Sequence, residues 1–204
     1  IDNEVRKILT EYRVHLQPAN TQRLYLPRKE LGRGLANVVH KSERIELQLF
    51  QKLYADRNVS LRRAAILREA HAASASLALI EPYLVNKYGI TEGMTMESLE
   101  KAQKEGLYNE IKNKSRHEKL YRVTGNDLVD IESSALWLTK GKIGARDEAH
   151  LAYLQDRNLF GGMPGNCPHC NERIKSVDHL ATQCKRMLGT DYMRRHNEVV
   201  RCIH

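Results

Sequence analysis

The stretch Cys167–Cys184, CPHCNERIKSVDHLATQC, is the most specific feature of this 204-residue chain, and its ligand-type residues are spaced C-x2-C-x8-H-x4-C. Two thiolates from one tight turn, followed by two ligands on a later segment, are a common way to surround one zinc ion tetrahedrally. The pattern therefore predicts one structural, non-catalytic Zn2+ site with the ligands Cys167, Cys170, His179 and Cys184.

The residues inside this stretch also predict its local structure. Ser176 is suited to cap a short helix that carries His179. Cys184 follows His179 by five residues, a separation that a regular α-helix of about 3.6 residues per turn does not align. The helix should therefore distort or stop near Cys184. His169, between the first two thiolates, is expected to be exposed.

The cysteine count leaves two other ligand sets open. Cys202 could complete an all-cysteine site in place of His179, and His196 could replace Cys184. Four cysteines in 204 residues, with no signal peptide at the start, disfavour disulfides and favour a reducing, intracellular location. In the preferred ligand set Cys202 is a free thiol. The remaining alternative is four unrelated residues that bind no metal.

The charge of the chain is compatible with a polyanionic partner. Lysine and arginine number 33 against 25 acidic residues, which gives a formal net charge of +8. Such an excess favours nucleic acid, although a solvated basic surface explains it equally well. No stretch approaches the roughly 18 apolar residues that a membrane span requires.

Hydrophobic periodicity predicts a mainly α fold, with a bundle of several helices, a short extended ribbon at Arg23–Arg28 and a small C-terminal zinc knuckle. We expect helices over residues 2–13, from a cap at Ser60, and from a cap at Thr95 to about Lys119 with a break near Gly106. One further helix should bury the face that carries Val38, Ile45, Leu49 and Leu53, and Trp137 should be a core anchor.

The densest basic run, residues 112–122, comprises Lys112, Lys114, Arg116, His117, Lys119 and Arg122. These side chains could follow a phosphate backbone while Tyr108 or Tyr121 stacks on an unpaired base. They could equally form a solvated helix face. The terminal helix presents the same choice at Arg194 and Arg195, and places His196 on an apolar stripe where a core histidine is expected.

Catalytic motifs are missing from the sequence. It lacks a phosphate loop, a G-x-S-x-G elbow and an H-E-x-x-H motif. The acidic residues Asp127, Asp130 and Glu132 have no lysine at a spacing useful for a nuclease, so we expect them to be structural. The chain itself is therefore not expected to be an enzyme.

Several segments resemble non-LTR retrotransposon reverse transcriptases. Ile1–Lys7, Arg23–Arg28 and Gly32–Leu35 resemble the region after the palm, where the thumb begins. Trp137, Leu138, Gly141, Glu148, Gln155 and Asp156 then precede the cysteine–histidine motif and Arg195–Asn197, in the order of site-specific elements that carry a restriction-like endonuclease. Residues 55–130 match nothing specific.

The resemblance implies three parts: a thumb-like helical segment at 1–55, a helical linker at 56–135, and a zinc-knuckle region with a terminal helix at 136–204. It implies a nuclear protein, made in the cytoplasm, that positions target DNA, element RNA or their hybrid for target-primed reverse transcription by the polymerase and endonuclease domains of a longer polyprotein. The spacer of eight before His179 is longer than that of retroviral knuckles. By position and charge, the thumb-side phosphate contacts would be Arg23, Arg28, Lys29 and Arg33.

Two alternatives belong to other functional classes. Zinc could fold a helical scaffold whose apolar faces, Val38 to Leu53 and Tyr192 to Ile203, bind a protein without direct contact to nucleic acid. The chain could also be a domesticated element remnant with a role in its host.

Overall fold

The computed structural model describes residues 1–55, 64, 77, 79–91, 93–122, 126–158 and 165–203. The predicted mainly α fold is confirmed. Most of the helix predicted from Ser60 lies outside the described residues. The α-helices are α1 (Asp2–Glu11), α2 (Val38–Ala55), α3 (Ile80–Tyr88), α4 (Met96–Lys112), α5 (Glu118–Tyr121), α6 (Ile131–Ser134), α7 (Leu136–Thr139), α8 (Ala145–Gln155), α9 (Lys185–Met187) and α10 (Met193–Ile203). Each helix in these ranges is too short or too polar to cross a lipid bilayer.

Helix α4 begins where the sequence predicts. The Thr95 hydroxyl accepts a hydrogen bond from the Ser98 backbone N–H at 3.0 Å, and the Ser98 hydroxyl accepts one from the Thr95 N–H at 2.9 Å. This reciprocal pair satisfies two N–H groups that the helix leaves unpaired. The helix continues through Gly106, so the break predicted there is absent. It ends at Lys112, before the end predicted near Lys119.

The extended ribbon predicted at Arg23–Arg28 is wrong. The chain instead forms two 3-10 turns, Gln22–Leu24 and Arg28–Glu30, on either side of the buried Leu26. The following residues fold back onto this segment, with hydrogen bonds from Arg33 N to Arg23 O at 2.9 Å and from Leu35 N to Leu24 O at 2.8 Å. A compact loop therefore replaces the ribbon.

Gly32 lies at the closest approach within this loop, where a Cβ atom would sit 2.0 Å from the Leu26 carbonyl oxygen. We expect Gly32→Ala to lower the free energy of unfolding by about 1 to 3 kcal/mol, because backbone must move to make room. Gly106→Ala is the matched control, since its Cβ would meet nothing within 4 Å. That change should stabilise α4 by about 0.5 to 1 kcal/mol. Urea titration measures the free energy of unfolding of both variants. If Gly32→Ala is as stable as Gly106→Ala, the close contact between Gly32 and the Leu26 carbonyl is contradicted.

Helix α2 buries a different face from the predicted one. Val38, Ile45 and Leu49 are 37%, 55% and 46% exposed, whereas Leu47 is fully buried against Leu84 and its neighbours. The buried face also carries Glu43, which accepts hydrogen bonds from Tyr88 Oη at 2.7 Å and Gln103 Nε2 at 2.8 Å and pairs with Lys87. These partners compensate the cost of burying a carboxylate, so Glu43 can lie on the buried face of α2, where periodicity does not predict an acidic residue.

Two further clusters join the N-terminal loop to the later helices. Leu26 packs with Leu107, Ile111 and Tyr121, while Leu31 packs with Ala135 and Leu138. Trp137 contacts the second cluster but is only half-buried, so it supports the core without being enclosed by it. Asp130, from the acidic group, caps α6 by accepting a hydrogen bond from Ser133 N at 2.9 Å.

Candidate metal centre

A tight turn places the first two cysteines side by side. Cys167 N donates to Arg173 O at 2.7 Å, and Asn171 N donates to Cys167 O at 2.8 Å. An isolated antiparallel bridge joins Asn166 to Ile174, and Asn171 has a left-handed φ of +56°. Asparagine tolerates this conformation better than most residues, so the sequence permits the turn.

The second half of the centre is a short helix that begins and distorts as predicted. The Ser176 hydroxyl accepts a hydrogen bond from His179 N at 3.0 Å. Residues His179–Gln183 form a π turn, which Cys184 N closes by donating to His179 O at 2.7 Å. A π turn spans five residues, so it brings residues i and i+5 together where an α-helix would separate them.

The four side chains meet as the spacing predicts. Cys167 Sγ lies 3.7 Å from Cys184 Sγ, and Cys170 Sγ lies 3.3 Å from His179 Nε2. The four candidate ligand atoms all lie within 4.8 Å of one another. Tetrahedral zinc with Zn–S near 2.3 Å and Zn–N near 2.0 Å separates two sulfurs by about 3.8 Å and a sulfur from a nitrogen by about 3.5 Å. The cluster can therefore hold one metal ion and is consistent with zinc.

The alternative ligand sets are not assembled. Cys202 and His196 lie on α10, and both side chains are exposed and outside the cluster. Cys202 is a free thiol, and His169 is exposed, both as predicted. The expectation that His196 is a core histidine is wrong, because the described residues leave that side of α10 uncovered.

Backbone N–H groups favour the thiolate form that binds metal ions. The Glu172 backbone N–H lowers the pKa of the Cys170 thiol. Burial raises the pKa of Cys167, but N–H groups of Cys170 and His169 outweigh it, so its pKa lies below the ordinary value. For Cys184 the Met187 N–H acts to lower the pKa, yet burial and the neighbouring sulfur Cys167 Sγ raise it overall.

Burial completes the site. Cys167, Cys184 and His179 are 0%, 1% and 4% exposed, and Cys170 is half-buried. His179 directs Nε2 towards Cys170, while its buried Nδ1 makes no hydrogen bond within the described structure. Three enclosed ligands leave little room for a substrate, which favours a structural metal over a catalytic one.

Arg23 is too deeply buried to contact a phosphate group. Its side chain is 1% exposed and forms a 3.1 Å ion pair with Asp156, which is also 1% exposed. The nitrogen in this pair, Nη1, also donates to Ala152 O at 2.9 Å, while Nε donates to Leu31 O at 2.7 Å and Nη2 donates to Gln155 Oε1. The prediction for Arg23 is therefore corrected: this arginine fixes the N-terminal loop to α8.

Arg28 and Arg33 also serve the fold. Both pair with Glu148: Arg28 Nη2 lies 2.6 Å from Glu148 Oε2, and Arg33 Nε lies 2.5 Å from Glu148 Oε1. The Arg33 side chain is only 7% exposed. Burial raises the pKa of Glu148, but the two guanidiniums outweigh it and hold that pKa below its ordinary value. Arg33 is thus too enclosed for the predicted phosphate contact. Arg28 is partly exposed, but its guanidinium is already paired with Glu148. Lys29 is exposed to solvent.

The basic run is more accessible. Lys112 and Arg116 are exposed and form no ion pair with any described residue, whereas Lys114 bonds to Gln22. Arg122 pairs with Glu118 at 3.2 Å. Lys119 pairs with Asp178, the residue before the ligand His179, so the run adjoins the metal centre. Arg194 and Arg195 are exposed on α10.

The sequence interpretation missed other cations near the centre. Lys185 and Arg186 are exposed immediately after Cys184, and Arg173 is exposed between the two pairs of ligands. Arg157 pairs with Asp178 at 3.3 Å. The first three could have been found from their adjacency to the ligands, but Arg157 is brought there only by the fold.

No family model matches the chain, and neither a curated protein nor a solved structure matches it.

Proposed function

We propose that the chain is a zinc-stabilised, nucleic-acid-binding fragment of a retrotransposon polyprotein, which positions target DNA, element RNA or their hybrid for target-primed reverse transcription. The chemistry would be supplied by polymerase and endonuclease domains elsewhere in the polyprotein, and the setting would be the nucleus. The role of this chain is to bind and orient the substrate.

The observation that carries the proposal is the placement of exposed cations around the cysteine–histidine cluster. The ion pair between Lys119 and Asp178 places the basic run beside the helix that carries His179. Lys185 and Arg186 extend the positive charge on the other side of the ligands. A rigid, metal-organised turn flanked by cations suits a phosphate backbone, because each neutralised phosphate releases counterions.

Zinc is the metal we propose for the cluster. Three thiolates and one imidazole form a soft donor set typical of structural zinc, and the separations fit a tetrahedral ion. The residues that would hold it are Cys167, Cys170, His179 and Cys184. When bound, the ion would fix the turn and the π turn against each other.

Charge reversal of Lys112 and Arg116, which form no ion pair with any described residue, tests the proposal. We expect Lys112→Glu with Arg116→Glu to weaken binding to duplex DNA, RNA or hybrid at least about tenfold. The slope of log affinity against log salt should fall by about 0.9 for each duplex phosphate that the chain no longer neutralises. Electrophoretic mobility shifts at several salt concentrations measure both quantities.

Lys41→Glu with Lys52→Glu is the matched control, because these exposed cations lie on α2 and the change in net charge is the same. An equal loss of affinity in both double variants would point to net charge alone. A wild-type chain whose binding does not respond to salt would refute the proposed function.

A protein-interaction scaffold is the second candidate, favoured by the apolar side chains that α2 and α10 leave exposed. Ile45 and Val199 are 55% and 61% exposed. Under this alternative the Lys112 and Arg116 double variant keeps its protein partner, whereas Ile45→Ser with Val199→Ser loses it. Under the proposed function, the Lys112 and Arg116 double variant loses nucleic-acid affinity, whereas the Ile45 and Val199 double variant keeps it.

A further inference from the structure

Two cations from separate parts of the helical chain converge on one carboxylate beside the metal centre. Lys119 of α5 and Arg157, which follows α8, both pair with Asp178, Arg157 at a distance of 3.3 Å. The His117 side chain lies near that of Asn158, so the two segments are neighbours. A carboxylate held between an ammonium and a guanidinium occupies the position that a phosphate oxygen would take.

The backbone holds Arg157 firmly in this position. Arg157 has a left-handed φ of +62°, and its N–H donates to Leu154 O at 2.9 Å. Asn158 N donates to Tyr153 O at 3.2 Å, which completes a Schellman motif at the end of α8. The neighbours Asp156 and Asn158 are each 1% exposed, so the side chain of Arg157 projects from an anchored turn.

The pairing is open to competition from solution. The side chains of Lys119, Arg157 and Asp178 are 41%, 40% and 33% exposed. Ion pairs with this exposure each change an equilibrium constant by no more than about fivefold, because water and salt screen them. A phosphate that forms charge-assisted hydrogen bonds with both cations can therefore displace the carboxylate.

We infer that Lys119 and Arg157 form a phosphate site for a nucleic-acid backbone and that Asp178 occupies this site in the free protein. The inference rests on the proposed function and adds a site to it. Binding exchanges one anion for another at the same two cations, so Asp178 lowers affinity and keeps the cations in place until a phosphate arrives.

Asp178→Asn removes the competing charge, and we expect duplex binding to become about three- to thirtyfold tighter, the range that two exposed ion pairs allow. Glu172→Gln is the matched control, because Glu172 is an exposed acidic residue of the same metal-binding segment and forms no ion pair with the described residues. Equal affinities for the two variants, with the metal content of both unchanged, would overturn the role of Asp178.

Arg157→Gln tests the site without altering the metal-binding segment. We expect the salt slope to fall by about 0.9, which corresponds to one fewer phosphate neutralised by the chain. Arg13→Gln is its control, since Arg13 is exposed and follows α1 in the same left-handed conformation, with φ of +58°. If both variants keep the wild-type slope, the site at Arg157 is refuted. Failure of the wild-type chain to bind nucleic acid would instead refute the proposed function.

Discussion

Cys170→Ser is expected to release the metal ion and unfold residues 165–192. Structural zinc contributes on the order of 10 kcal/mol to the folding of small metal-dependent segments, and loss of one thiolate removes much of it. The helical part of the chain should stay folded, because the three buried clusters among the described residues contain no residue of this segment. Metal analysis and amide hydrogen exchange measure the two effects.

Cys202→Ser is the control for this experiment, because that thiol is exposed and lies outside the cluster. It should keep one metal ion per chain and wild-type protection from exchange. Retention of stoichiometric metal by Cys170→Ser would show that the four side chains do not form the centre.

Arg23→Met should have the second largest effect, a loss of about 3 to 5 kcal/mol in the free energy of unfolding. It leaves the buried Asp156 carboxylate without its cationic partner, and an uncompensated buried charge is costly. The fluorescence of Trp137, the only tryptophan, is a suitable probe because Trp137 and Leu31 belong to one cluster. Urea titration at constant metal concentration gives the stability.

Two further variants distinguish the buried ion pair from a general effect of charge. Arg13→Met removes an exposed arginine and should change stability by no more than about 0.5 kcal/mol. Adding Asp156→Asn to Arg23→Met should restore part of the loss, because the amide oxygen can still accept the hydrogen bond from Asn20 N. A stability loss below about 1 kcal/mol for Arg23→Met would contradict the buried pair.

The features that the sequence predicted correctly depend on residues close together in the chain. The Thr95 cap, the Ser176 cap and the distortion before Cys184 each follow from contacts within five residues. The clustering of Cys167, Cys170, His179 and Cys184 is similarly local, since the four residues lie within 18 residues of sequence. Local chemistry of this kind has few competing solutions.

The features that were missed depend on distant partners. Arg23 is buried because Asp156 lies beside it, and the two are 133 residues apart in sequence. Glu43 is buried because Lys87, Tyr88 and Gln103 surround it. Nothing in the residue types distinguishes these buried charged groups from solvated ones. Periodicity therefore predicted the wrong buried face for α2 and an extended ribbon at Arg23–Arg28.

The long separation between Arg23 and Asp156 also matters during protein synthesis. A ribosome that adds about 5 to 20 residues per second needs roughly 7 to 27 s to make the intervening chain. Throughout that interval the N-terminal loop lacks its carboxylate partners and the surface of α8. The loop around Arg23 must therefore wait for Asp156 before it can complete its fold, and a chaperone that binds nascent chains has that interval in which to bind the loop.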